Sequence, residues 1–243
     1  MIAPAPGNVR DELAPGGVLR VGVNLGNFLL VKKQPDDSLK GIVPDLAQDL
    51  ASHLGATVKY ILHAGAGEVA DGGAKGTWDV AFIGAEPARA AQIAFTDAYL
   101  EIPASYLVPA GSPLQSIGDV DRPGVRIATS ARSAYDLFLS RSLRHAELVR
   151  AEGIPASYDL FVAQKLDALS GLLPRLVAER DRTPGSRILE GQFTAVQQAI
   201  GTPRAREASA AWLRDYCIGL RRDGRVAAAI ARHGIQGVNV APL

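Results

Sequence analysis

Short runs of β-branched and other apolar residues alternate with helix-patterned stretches along nearly the whole chain. That alternation predicts an α/β fold built on mostly parallel sheets, because a crossover helix is the economical link between parallel neighbours. Leu19 to Val23 reads as the first strand, rising from a leader rich in Pro, Gly and Ala. Pro44 is expected to open the first helix, with Leu46, Leu50 and Leu54 on one face and Gly55 as its stop. Val58–Leu62 and Asp79–Ile83 follow as strands, and Pro87 is expected to start another helix. After the extended Tyr106–Val108 and the break at Gly111 to Pro113, the same grammar restarts. Strands are expected at Val125–Ala128 and Asp167–Ser170, and helices through Leu137 and Phe138, over Ala156–Lys165 and from Pro174. Thr194–Ile200 reads as a strand leading back, with helix from Pro203 to near Gly224 and again over Val226–His233. This pattern predicts two lobes, 1–105 with 199–243 and 106–198, the chain passing between them near Tyr106 and Gln198.

Two stretches carry anion-binding chemistry. In the first, a strand ends at Gly84, where backbone can approach a ligand closely, and Glu86, Pro87 and Arg89 follow at once. A helix opening at Pro87 would bring free N–H groups, the positive end of its dipole and a guanidinium fork to one place. That place is the carboxyl end of a strand, where open α/β sheets bind ligands. The second stretch repeats the arrangement: Ala128, Thr129, Ser130, Ala131, Arg132 and Ser133 lead from a strand to a helix start, with Thr129 or Ser130 as the expected cap. Each has a plainer reading, a solvated arginine beside an ordinary cap.

In these segments the chain resembles the amino-acid type (family 3) periplasmic solute-binding proteins of ABC importers. The matching stretches are Leu19 to Val23, Gly41 to Leu46, Asp79 to Gly84 with Arg89 and Ala94 to Asp97, Tyr106 to Val108 with Gly111 to Pro113, and Asp167 with Ala168. Leu220 with Asp223 and Gly224 completes the set, and the likeness spans about residues 17 to 237. It implies the type II periplasmic-binding fold, two Rossmann-like lobes joined by two crossover strands, with solute trapped between them by hinge closure. It further implies that Arg89 clamps a solute carboxylate, with Gly84 beside it, and that Ala131 and Arg132 offer backbone N–H groups to the same group. Asn24 and Asn27 fall on the first-strand loop that lines the pocket, and Gln198 (or Gln197) beside the return crossover. The acidic residue that such proteins set against an α-ammonium group falls at Leu172, and their stacking aromatic at Asn27. An uncompensated buried ammonium costs several kcal/mol, so an organic anion is expected over a standard amino acid unless Glu86 supplies the missing charge.

Other chemistries find less support. With 26 basic and 25 acidic residues evenly spread, the chain has no nucleic-acid stripe. The single cysteine, Cys217, lies in an apolar helical pattern with Trp212, Leu213, Tyr216 and Leu220 and reads as a buried structural thiol. The four histidines lack metal-ligand spacing, so neither metal nor cofactor is expected. Gly65, Gly67 and Ala70 imitate a dinucleotide fingerprint, but on the second strand and ahead of a glycine-broken helix. No segment is apolar for the ~20 residues of a membrane span, and residues 1–15 show no apolar secretion core, which fits either an export signal that has been removed or a cytosolic protein. The expectation is therefore a monomeric periplasmic binder serving a permease, not an enzyme. A cyclohexadienyl-dehydratase-like enzyme using Glu86 as acid, or a cytosolic sensing module, is the alternative.

Overall fold

The computed structural model describes residues 2–243. The chain divides into two compact units, Met1–Glu101 with Gln197–Leu243, and Ile102–Val196.

The first unit opens with helix α1 (Gly7–Leu13), which buries Val9 and Leu13 and packs on a late helix of the same unit. Strand β1 (Val18–Asn24) follows, then a small hairpin of β2 (Lys32–Lys33) and β3 (Leu39–Lys40). Helix α2 (Ile42–Leu54) starts two residues ahead of Pro44, which occupies its third position, still within the first turn where a missing N–H costs nothing. It stops as expected at Gly55, whose φ of 63° is the left-handed geometry of a helix terminator. Strand β4 (Thr57–His63), helix α3 (Ala66–Ala74) and strand β5 (Val80–Gly84) complete the parallel part, with β1 lying between β4 and β5.

Gly72 and Gly73 of α3 have a packing reason. A Cβ on Gly72 or Gly73, or on Gly22 of β1, would come within 2.7 Å of the Trp78 side chain. Trp78 is fully buried and donates its indole N–H to the Val69 carbonyl at 2.8 Å. Three missing side chains make room for one large ring, which fixes how closely α3 lies over β1 and β5.

Strand β6 (Ile93–Val108) carries the chain out of the first unit. Its sixteen residues reach far ahead of the expected Tyr106–Val108, because Pro103 and the charges of Asp97 and Glu101 hide its periodicity. Ile93 is nonetheless buried with Val69, Trp78, Ala81 and Ile83, and this burial sets where the strand begins.

The second unit uses the latter part of β6, with β7 (Arg126–Ser130), helix α4 (Ala134–Ser142), β8 (Glu147–Ala151), α5 (Ile154–Ala163), β9 (Ala168–Leu172) and α6 (Leu173–Arg182). Strand β7 lies parallel between β8 and β9, and β9 runs antiparallel to β6, as does the short β10 (Arg187–Ile188). Strand β8 buries none of its five residues completely, although Leu148 and Val149 pack against the core. Its approach is pinned by Asp121, whose carboxylate accepts the backbone N–H groups of Arg144 (3.0 Å), His145 (2.8 Å) and Ala146 (3.0 Å).

Those N–H bonds, Ala146's foremost, hold the Asp121 carboxyl below its ordinary value of 3.8. A group whose folded-state pKa is depressed stabilises the fold above its unfolded pKa, near pH ~4, and loses that contribution as pH falls through the folded value. The second unit is therefore expected to weaken on acidification below about pH 4. Asp121→Asn should flatten that acid limb in urea titrations at stepped pH; an unchanged limb would remove Asp121 from the account.

The chain returns through β11 (Thr194–Pro203), which pairs antiparallel with β5 in the first unit, Gln198 opposite Gly84. Helix α7 (Glu207–Arg222) begins later than Pro203, after a hydrogen-bonded turn, and is followed by α8 (Arg225–Arg232) and β12 (Asn239–Val240), which pairs with Leu100 and Glu101 of β6. Cys217 on α7 is fully buried, as its apolar neighbours indicate, and burial pushes its thiol pKa up. In each unit helices alternate with a mostly parallel sheet, the α/β architecture that the sequence pattern predicts.

Candidate functional site

In the first unit, β4, β1 and β5 run parallel, so His63, Asn24 and Gly84 end them along one edge of the sheet. The carboxyl ends of parallel strands are where the following loops gather. Arg89, Glu86, Asn24, Asn27 and Gln198 all belong to this edge, on loops leaving β1 and β5 or on the β11 residue paired with Gly84.

The segment after β5 differs from expectation. No helix starts at Pro87; residues 87–92 form successive hydrogen-bonded turns. Arg89 N–H and Ala90 N–H bond the Glu86 carbonyl at 2.9 and 3.3 Å, and Gln92 N–H and Ile93 N–H bond the Arg89 carbonyl at 3.1 and 3.0 Å. The alanines favour helix, but only six residues separate Glu86 from Ile93, which must enter the core as strand. Burial overrides propensity over so short a span. The helix-dipole contribution expected here is thus absent, and the cationic character rests on Arg89 itself.

Arg89 is 5% exposed and Glu86 9%. One guanidinium nitrogen of Arg89 donates to the Gly84 carbonyl at 2.6 Å, anchoring the fork over the end of β5. Glu86 also has a partner within the chain. The two asparagines divide their work. Asn24 Oδ1 accepts the Gly26 N–H at 3.0 Å and so shapes the loop. Asn27 is 6% exposed, its Oδ1 is buried, and no hydrogen bond reaches that atom among the described residues. An unmet buried acceptor costs about 1–3 kcal/mol, a signal that sequence reading alone does not contain.

In the second unit, β7 and β9 end at Ser130 and Leu172. Here too the local structure corrects expectation. The cap of α4 is Ser133, which accepts the Asp136 N–H, rather than Thr129 or Ser130, which lie within β7. Arg132 precedes the helix with a left-handed φ of 57° and is exposed. The N–H groups of Ala131 and Arg132 are already engaged, with the Ala151 carbonyl at 2.9 Å and Asp136 Oδ2 at 2.8 Å. The expected backbone N–H pair is therefore closed, leaving the Arg132 side chain as the group this loop can present. Leu172 is 5% exposed and caps α6 without a side-chain hydrogen bond.

The family model of bacterial extracellular solute-binding proteins, family 3, matches residues 19–235. The chain belongs to that family. Solved structures agree on the fold of this family 3 protein. The solute receptor for L-cysteine of Neisseria gonorrhoeae is 19% identical, with 94% of this chain and 95% of that chain covered and a TM-score of 0.79. A cysteine-binding protein from Campylobacter jejuni is 16% identical, covering 92% and 91% at a TM-score of 0.76. The ancestral amino acid-binding protein AncCDT-1, a precursor of cyclohexadienyl dehydratase, is 19% identical, covering 92% and 98% at 0.75. No curated protein matches the chain by sequence.

Within this family 3 protein, no helix of the described residues is long and apolar enough to cross a membrane. Among the same residues no group of His, Cys, Asp and Glu is arranged to hold a metal ion.

Proposed function

We propose that this family 3 protein is the solute-binding component of an ABC-type importer and holds a small carboxylate-bearing solute through Arg89. The observation that carries the reading is Arg89, a residue 5% exposed whose guanidinium is anchored by the Gly84 carbonyl at the carboxyl edge of a parallel sheet. A guanidinium matches a carboxylate in charge and in the spacing of its donors, which makes it the natural partner at a water-poor site. Gly84, Glu86, Asn24, Asn27 and Gln198 surround it in this reading. From the second unit this reading takes Arg132 as the group that meets the solute, with Leu172 at the end of β9. An organic anion is favoured over a standard amino acid, because Leu172 cannot neutralise an ammonium group and an amino acid would have to draw that charge from Glu86. Function in the periplasm as a monomer, delivering to a membrane permease, completes the proposal.

Binding without turnover is tested by thermal unfolding in the presence of amino acids, dicarboxylates and aromatic carboxylates, with the acid recovered and identified afterwards. One class is expected to stabilise the protein by about 2.7 kcal/mol at a hundredfold excess over its dissociation constant and to return unchanged. Failure of every carboxylate overturns the carboxylate assignment; conversion of the bound acid favours the dehydratase-like alternative.

A further inference from the structure

We propose that the Asn27 side chain accepts a hydrogen bond from a hydroxyl of the solute, so that the solute is a hydroxy acid. This rests on the Arg89 reading and adds to it a second recognised group. Nothing in the loop requires this amide. Its turn is held by backbone alone: Asn27 N–H bonds the Asn24 carbonyl at 3.3 Å, and the Asn27 carbonyl receives Leu30 N–H at 3.0 Å and Val31 N–H at 3.2 Å. The capping work in the loop is done by Asn24, through Gly26. Asn27 is nevertheless 6% exposed, with Oδ1 buried and unmet. A buried polar atom that the fold leaves unsatisfied destabilises the protein unless something outside the chain completes it. Its place, on the loop leaving β1 with Arg89 on the loop leaving the adjacent β5, puts both groups on one edge of one sheet.

The chemistry of the missing donor follows from that of the acceptor. An amide carbonyl is neutral and is satisfied by a neutral O–H, whereas an ammonium brought to it would still need a counter-charge. The neighbouring strand end is of the same kind. His63, opposite Asn24, has a buried Nε2 without a hydrogen bond among the described residues, and burial lowers its pKa, which disfavours the charged ring. Glu68 and Asp71 oppose that shift less strongly than burial drives it.

Isothermal titration with matched pairs tests the assignment: malate against succinate, lactate against propionate, glycolate against acetate, 4-hydroxybenzoate against benzoate. In at least one pair the hydroxy acid is expected to bind about tenfold or more tightly than its partner. Asn27→Ala should bring that preference close to one without lowering Tm, since the substitution removes an unmet group. Equal affinities within every pair that binds overturn the inference and leave the Arg89 reading standing. Binding of other carboxylates but of no hydroxy acid has the same consequence, while binding of no carboxylate at all removes both. A retained preference in Asn27→Ala, or a Tm lower by several degrees, shows that the amide serves the fold and overturns the inference.

Discussion

Replacing Arg89 with alanine is expected to weaken solute binding by about thirtyfold or more in Kd, while the protein stays folded. The magnitude follows from what is lost: truncating one side of a buried, hydrogen-bonded charge pair costs about 2–5 kcal/mol of affinity, and tenfold in Kd corresponds to about 1.4 kcal/mol. The Gly84 carbonyl that loses the guanidinium lies in β5 beside its β11 partner Gln198, and that one bond is worth about 1 kcal/mol to the fold. Arg89→Lys keeps the charge but not the two-pronged donor, and should recover only part of the affinity. Titration calorimetry gives the affinities, and urea unfolding of the same preparations shows whether the fold survives. Undiminished binding in the alanine variant would sink the assignment of Arg89.

Asp79→Ala is expected to cause the largest stability loss of any single polar substitution in the first unit, about 3 kcal/mol, by analogy with breaking buried ion pairs. The Asp79 side chain is fully buried, and its carboxylate is the common acceptor of two arginines. Oδ1 receives Arg20 at 2.6 Å and Arg206 at 2.9 Å; Oδ2 receives the Arg20 backbone N–H at 3.0 Å and its Nε at 2.9 Å. The Asp79 carbonyl accepts the Thr202 hydroxyl at 3.0 Å. One residue thereby ties β1, the start of β5, the end of β11 and the approach to α7. Both arginines are partly exposed, at 33% and 22% of their side chains, and can turn to water when the carboxylate is removed. That places the loss toward the lower end of the range for buried pairs. The urea midpoint of Asp79→Ala, compared with wild type at constant slope, measures it; a shift worth under 1 kcal/mol would show that the cluster contributes little.

Much of the architecture was legible in the chain because its cues are local. The Leu46, Leu50 and Leu54 stripe closed by Gly55, the apolar run ending at Gly84, and the helix through Cys217 each announce themselves within a dozen residues. What escaped was whatever depends on distant partners. Strand β8 is held by Asp121 through three backbone N–H groups some two dozen residues away, and β6 starts where Ile93 meets Trp78 rather than where its own pattern changes. Helix α1 was hidden in a stretch read as a Pro and Gly leader, yet Glu12 accepts the backbone N–H of Ser209 at the start of α7, 197 residues on.

The candidate site divides along the same line. The sequence alone determined the alternation of strands and helices and the position of Arg89 just beyond a strand end, because periodicity and spacing are properties of neighbouring residues. Only the tertiary structure decided that Pro87 begins turns instead of a helix, that the Ala131 and Arg132 N–H groups are already taken, and that Asn27 is buried with an unmet oxygen. Each of these depends on which polar groups finally face one another, and hydrogen-bond satisfaction is settled by packing, after the local pattern has been read.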